Sequence, residues 1–222
     1  MAYDRTIVVF SPDGRLLQVE YAREMVKNGT TSIGLALKSS VLLASMRIQV
    51  PLAVDSYKKT HEIDSHIGVV SAGSLADARN LIDMARVRAQ VNQITYGEPI
   101  STSTLSAYIS DRKHLVTQYA GVRPYGVGLL VGGVDEDGPK LFETEPSGTL
   151  IEWHAQSIGR GAEKARKVLE KDFKPGMELK PGLKILMAAM RAAEKDASPE
   201  NIEVIEVSRK DVKRIPLSEL KG

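Results

Sequence analysis

The chain has 222 residues, 42% of them hydrophobic and 26% charged, with 30 Lys and Arg against 28 Asp and Glu. A chain of this size buries roughly 70–75% of the surface its unfolded form exposes, so it needs neither disulfide nor metal to stay folded. The absence of cysteine excludes a disulfide framework, a thiol nucleophile and a Cys-ligated zinc, and no long block of like charges argues for a nucleic-acid or membrane partner. The longest apolar runs, Val127–Val134 and Ile185–Met190, fall far short of the ~20 residues that span a bilayer. Residues Met1 to Arg5 lack the charged and apolar regions of a secretory signal, so a cytoplasmic protein is expected.

In chain order, residues 5–10 look extended and end at Ser11-Pro12-Asp13-Gly14, a turn signal. Leu16, Val19, Ala22 and Val26 then recur at helical spacing, with Gly29 placed as the residue after a helix end. Thr30–Leu37 and Val41–Ile48, separated by Lys38-Ser39-Ser40, read as a hairpin, and Ile67–Ser71 as a third strand closed by Gly73. Two helices follow, Leu75–Ile94 and Ser103–Tyr119. A second strand pair, Gly126–Val134 and Pro139–Glu145, surrounds Asp135-Glu136-Asp137-Gly138, and a further strand runs over Leu150–Gln156. Helices Ala162–Phe173 and Leu183–Lys195 are separated by Pro175-Gly176 and Pro181-Gly182. Strands Ile202–Val207 and Val212–Ile215 and a helical start at Ser218 close the chain.

Strands joined by tight turns pair antiparallel, which excludes a doubly wound parallel sheet. Helix pairs outside two such sheets bury each sheet on both faces, as the Val- and Gly-rich run Gly126–Val134 requires. The expected fold is a four-layer α/β/β/α sandwich, formed by one unit over residues 1–222. Within it, residues 1–29 are an N-terminal segment and helix, and residues 30–222 the sandwich.

Several chemistries fail on local grounds. Gly126-Val127-Gly128-Leu129-Leu130-Val131 has valine where a dinucleotide fingerprint needs its third glycine, and it lies inside a strand, so its glycines read as close sheet packing. His61-Glu62-Ile63-Asp64-Ser65-His66 is rich in potential ligands, but in an extended segment positions five apart face opposite sides. No metal or cofactor is expected. Trp153, alternating with Ile151 and Ala155, reads as packing. No Gly-x-Ser-x-Gly elbow occurs. Gly29-Thr30-Thr31-Ser32-Ile33-Gly34 has catalytic flavour, because a threonine freed at a chain N-terminus can use its own amine as base. Without cleavage after Gly29, Thr30 is an ordinary strand residue.

Tyr3-Asp4-Arg5, Phe10-Ser11-Pro12-Asp13-Gly14-Arg15 and Gln18-Val19-Glu20-Tyr21-Ala22-Arg23 resemble the N-terminal signature of proteasome α-subunits. Further family patterns recur at Gly29-Thr30-Thr31, Ala76-Asp77-Ala78-Arg79, Thr117-Gln118-Tyr119, Gly121-Val122-Arg123-Pro124-Tyr125-Gly126 and Pro146-Ser147-Gly148. The resemblance is closest to the archaeal type and runs from Tyr3 to about Gly161. It implies the same four-layer sandwich, the fold of N-terminal-nucleophile hydrolases.

The resemblance also implies roles. Aligned on the catalytic β relatives, Thr30 takes the nucleophile position, Met46 stands where they carry an acid, and Lys59 where they carry a lysine. Lacking a free amine and an acid, the chain is expected to be non-catalytic. It would be a member of a heptameric ring of α-subunits that stacks on β-subunits and admits unfolded polypeptide. Tyr3, Asp4, Pro12 and Tyr21 are implied to form the gate cluster. Lys59, with Gly29, Glu20 and Arg23 nearby, is implied to hold the C-terminal tail of an activator ATPase ring. Tyr119, Ala120, Gly121 and Val122 are implied to form the constriction of the axial channel, with Ala120 where glycine is usual. Only Met1 and Ala2 precede Tyr3, fewer residues than archaeal relatives usually carry, which implies either a weakly closed gate or a chain whose start differs from theirs. The alternative is a self-processed threonine hydrolase cut between Gly29 and Thr30.

Overall fold

The computed structural model describes residues 8–47, 52 and 58–220. In chain order the elements are α1 (Leu17–Asn28), β1 (Ser32–Ala36), β2 (Val41–Met46), β3 (Thr60–Asp64), β4 (Ile67–Gly73), α2 (Leu75–Tyr96) and α3 (Thr102–Val116). There follow β5 (Val127–Asp135), β6 (Gly138–Thr144), β7 (Leu150–Glu152), β8 (Ala155–Ile158), α4 (Ala162–Asp172), α5 (Leu179–Ala193), β9 (Ile202–Val207), β10 (Val212–Arg214) and α6 (Leu217–Leu220). The strands form two antiparallel sheets, ordered β10-β9-β2-β1-β8 and β3-β4-β5-β6-β7.

Strand periodicity builds the layers. On β2, Leu42, Ala44 and Met46 pack against α4 and α5, while Val41 and Leu43 face the second sheet. On β4 and β5, Ile67, Val69, Leu129 and Val131 meet α2 and α3, and Val70 and Leu130 meet the first sheet. Both sheets are therefore apolar on both faces, and the architecture is the expected α/β/β/α sandwich. Close sheet approach accounts for Gly132, where a Cβ would stand 2.6 Å from Val41 Cγ1. Helix α1 lies at one open end, with Val26 against Gly128 and Met25 against Gly126.

The structure departs from the sequence reading at four places. Leu150–Gln156 is not one strand: β7 closes the second sheet, β8 edges the first, and Trp153-His154 steps between them. Trp153 N–H donates to Leu141 O and His154 O accepts from Ala36 N–H, so each residue of the step still serves a neighbouring strand. The segment Thr60–Asp64 is a strand in its own right, bulged between Glu62 and Asp64. Helix α3 ends at Val116, leaving Tyr119 in a loop. Helix α5 starts at Leu179 and includes Pro181 in its first turn, where the missing N–H costs no helical bond. Gly29 directly follows α1, as expected, in an extended conformation with φ −67° and ψ 151°. The extended run at residues 5–10 falls largely outside the described residues, and Val8, Val9 and Phe10 are not in a strand.

Candidate functional site

The link between α1 and β1 is fixed residue by residue. A Cβ on Gly29 would stand 2.3 Å from Gly73 N, so glycine is required by close internal approach. Gly29 O accepts from Arg160 N–H at 2.8 Å. Thr30 is half-buried, and the Lys59 ammonium donates to its carbonyl at 2.6 Å and its Oγ1 at 2.8 Å. Thr31, fully buried, donates from N and Oγ1 to Glu194 Oε1 at 3.0 and 2.7 Å and accepts from Gly161 N–H at 3.0 Å. Ser32 Oγ donates to Ser71 O at 2.8 Å.

Electrostatics follow from burial. Lys59 is 2% exposed, and burial lowers its pKa to about 7, with Glu194 raising it and Arg160 lowering it. Burial pushes the Glu194 carboxyl up, but hydrogen bonds from Arg160 and from Thr31 N–H and O–H outweigh it and hold the carboxyl below its usual range. The Arg160 guanidinium reaches Glu194 through both Nε and Nη2, at 2.9 and 2.7 Å. Met46 is buried against the α5 layer, and its N–H donates to Thr31 O at 3.1 Å. A thioether takes no proton from Thr30, and among the described residues the ionisable group hydrogen-bonded to that hydroxyl is Lys59.

Other singled-out residues fall into three places. Arg23 bridges Glu20 at 2.7 Å and Glu145 at 2.9 Å, pinning α1 to the β6–β7 connection beside an open cleft of about 380 Å³. Pro12 is exposed in a turn closed by Gly14 N–H to Ser11 O at 2.8 Å, and Tyr21 is half-exposed on α1. Tyr119, Ala120, Gly121 and Val122 form an exposed loop after α3. Tyr3 and Asp4 lie outside the described residues. Lys59 is thus brought to Thr30 and Gly29, and Glu20 to Arg23, but no hydrogen bond among the described residues joins the two groups. His61 Nε2 lies 3.1 Å from Lys58 O and His66 Nε2 2.9 Å from Ile100 O, and no cluster among the described residues could hold a metal.

Helix α1 therefore leads through Gly29 into an internal, half-buried Thr30 just ahead of the first strand of a four-layer sandwich. The family profile described as "Proteasome subunit" matches residues 26–207, and the profile for the N-terminal signature of A-type proteasome subunits matches residues 3–24. The chain belongs to the proteasome α-subunit family. Similar relatives include the proteasome alpha subunit of Methanocaldococcus jannaschii, 47% identical over 99% of this chain and 86% of the relative. The proteasome alpha subunit of Methanosarcina acetivorans is 49% identical over 96% and 87%, and the proteasome alpha 1 subunit of Haloarcula marismortui 50% over 93% and 80%.

Two residues of this α-subunit were not singled out from sequence, and a third, Asp77, was quoted only within the Ala76–Arg79 pattern and given no partner. Glu194 sits one residue past α5, and nothing local marks it as the partner of Thr31. Lys113 is completely buried, donating to Val127 O, Thr144 O and Thr144 Oγ1 at 2.8–2.9 Å, and burial lowers its pKa to about 7. Its place among Ile109 and Val116 on the inner face of α3 was the available signal. Asp77 joins Arg123 across the fold, and Ser74-x-x-Asp77 at the start of α2 is a capping signature that could have marked it.

Proposed function

We infer that the chain is the non-catalytic α-subunit of a 20S core, acting in the cytoplasm as ring scaffold, gate and activator dock. Seven copies would form the outer ring over β-subunits, pass unfolded polypeptide through the Tyr119–Val122 loops, and take the tails of an activator ATPase ring. The observation that carries this reading is that Thr30 is built into the chain. Its carbonyl is held by Lys59, and the preceding Gly29 is packed on Gly73 and bonded to Arg160. A nucleophile that needs its own amine as base is disarmed there, and Met46 supplies no acid.

Lys59 is the dock. Its ammonium has three donors and spends two on Thr30, leaving one for an incoming carboxylate. Arg23 and Glu20 brace α1, and the exposed Pro12 and Tyr21 would belong, with Tyr3 and Asp4, to the gate cluster that the family resemblance implies. The Lys59 contact with Thr30 Oγ1 also favours the rival reading, a self-processing threonine hydrolase.

The test is Lys59→Ala in a particle assembled with β-subunits. Stimulation of protein degradation by a tail-docking ATPase should fall to the unstimulated level while native mass spectrometry still finds intact rings of uncut subunits. Unchanged stimulation overturns the dock, and wild-type subunits lacking residues 1–29 would establish the hydrolase instead.

A further inference from the structure

The loop from Gln118 to Arg123 is exposed along its whole length between two fixed posts. The first post is the end of α3, where buried Thr117 donates from Oγ1 to His114 O at 2.7 Å and Gln118 N–H donates to Leu115 O at 3.1 Å. The second post is Arg123, whose Nη1 and Nη2 donate to the two oxygens of Asp77 at 2.7 and 2.8 Å, and Nη1 also to Pro124 O at 3.1 Å. Between them, no hydrogen bond among the described residues ties Tyr119, Ala120, Gly121 or Val122 to the body of the fold. The direction of the loop is therefore set at its two ends.

The second post is built as a clamp. Asp77 is 7% exposed, stands in the first turn of α2, and also accepts Gly126 N–H at 2.9 Å. The Arg123 side chain is 66% exposed and folds back onto that carboxylate. Two parallel charge-assisted bonds from a planar fork fix rotation as well as distance, which a lysine's single contact does not. Pro124, buried directly after Arg123, limits the backbone further. Tyr21 and Met25 of α1 line the same cleft of about 290 Å³ as Asp77 and Arg123.

We propose that the Arg123–Asp77 fork is the positioning element of the channel constriction, holding Tyr119–Val122 where they limit the bulk of chain that passes. The proposal rests on the reading of that loop as the aperture. Arg123 is a positioning residue, acting on a translocating chain through the loop that precedes it.

The experiment uses the particle assembled with β-subunits and compares degradation of fluorophore-labelled, unfolded casein with hydrolysis of a fluorogenic tetrapeptide, read as a ratio. Arg123→Gln and Asp77→Asn should each raise the casein-to-peptide ratio several-fold, and the double variant should add nothing to either. Arg123→Lys, keeping the charge but not the fork, should give an intermediate ratio. Ala120→Trp tests the underlying aperture and should lower the ratio. A lowered ratio in Ala120→Trp with no change in Arg123→Gln overturns the fork's role and leaves the aperture standing. An unchanged ratio in Ala120→Trp overturns both. Rings that fail to form with Arg123→Gln, Arg123→Lys and Asp77→Asn alike would assign the fork to assembly and overturn the proposal as well.

Discussion

Among the described residues two lysines are buried, both brought by burial to a pKa of about 7, and their hydrogen bonding is opposite in kind. Lys113 meets three acceptors, the carbonyls of Val127 and Thr144 and the Thr144 hydroxyl, which matches the three donors of an ammonium. It joins α3 to β5 and β6 and has nothing left to offer. Lys59 meets two, both on a half-buried threonine, and keeps one donor without a partner among the described residues. The same perturbation of charge thus accompanies a sealed structural joint in one case and an incomplete site in the other. Satisfied valence, more than a shifted pKa, distinguishes the two lysines.

Lys113→Ala should break the comparison most severely. It leaves two carbonyls and a hydroxyl buried without donors and opens a cavity, so urea unfolding should show a loss of about 3–5 kcal/mol. Lys59→Met, measured alongside, should cost about 1 kcal/mol, since Thr30 is partly open to water; equal costs would erase the distinction. Gly29→Ala comes next, because the new Cβ meets the Gly73 backbone at 2.3 Å. The loss expected from this overpacking is about 1–3 kcal/mol, and a variant as stable as wild type would show that the α1–β1 link yields easily.

The dependence on pH is the most diagnostic. Each lysine has a folded pKa of about 7 against an ordinary value of 10.5, so the folded state holds fewer protons than the unfolded state between those pH values. Burying the charge costs stability in full below about pH 7, and that cost is relieved as pH rises toward 10.5. Stability should therefore climb between pH 7 and 10. Lys113→Met and Lys59→Met should each flatten the slope. A slope unchanged by Lys113→Met would mean that its three acceptors keep the ammonium charged throughout.

The fold was legible wherever period and punctuation agree. The Thr30–Leu37 and Val41–Ile48 runs alternate between two apolar faces and became β1 and β2, and the closely spaced glycines of Gly126–Val134 became the sheet contact at Gly132. Legibility failed where one continuous pattern serves two partners. Leu150–Gln156 alternates smoothly, yet the chain changes sheets at Trp153-His154, a choice made by Leu141 and Ala36 from elsewhere in the sequence. At the candidate site, Thr30, Met46 and Lys59 could be singled out through the family resemblance. Glu194 and Asp77 could not be assigned their partners, because Thr31 and Arg123 reach them only across the folded molecule. Gly29 follows the helix end as its spacing implied, yet that spacing does not explain why glycine is required there. Its need is for space against Gly73, and spacing along a helix carries no sign of that.

The step at Trp153-His154 has a mechanical consequence. Three Cα-to-Cα virtual bonds separate Glu152 at the end of one sheet from Ala155 at the start of the other. At 3.8 Å each they reach at most about 11 Å, against the ~10 Å spacing of stacked sheets. The tie is almost taut, so the two slabs have little slack in which to slide past one another. At that edge the two sheets are joined by covalent bonds as well as by packing, so a displacement of one sheet there must draw the other with it.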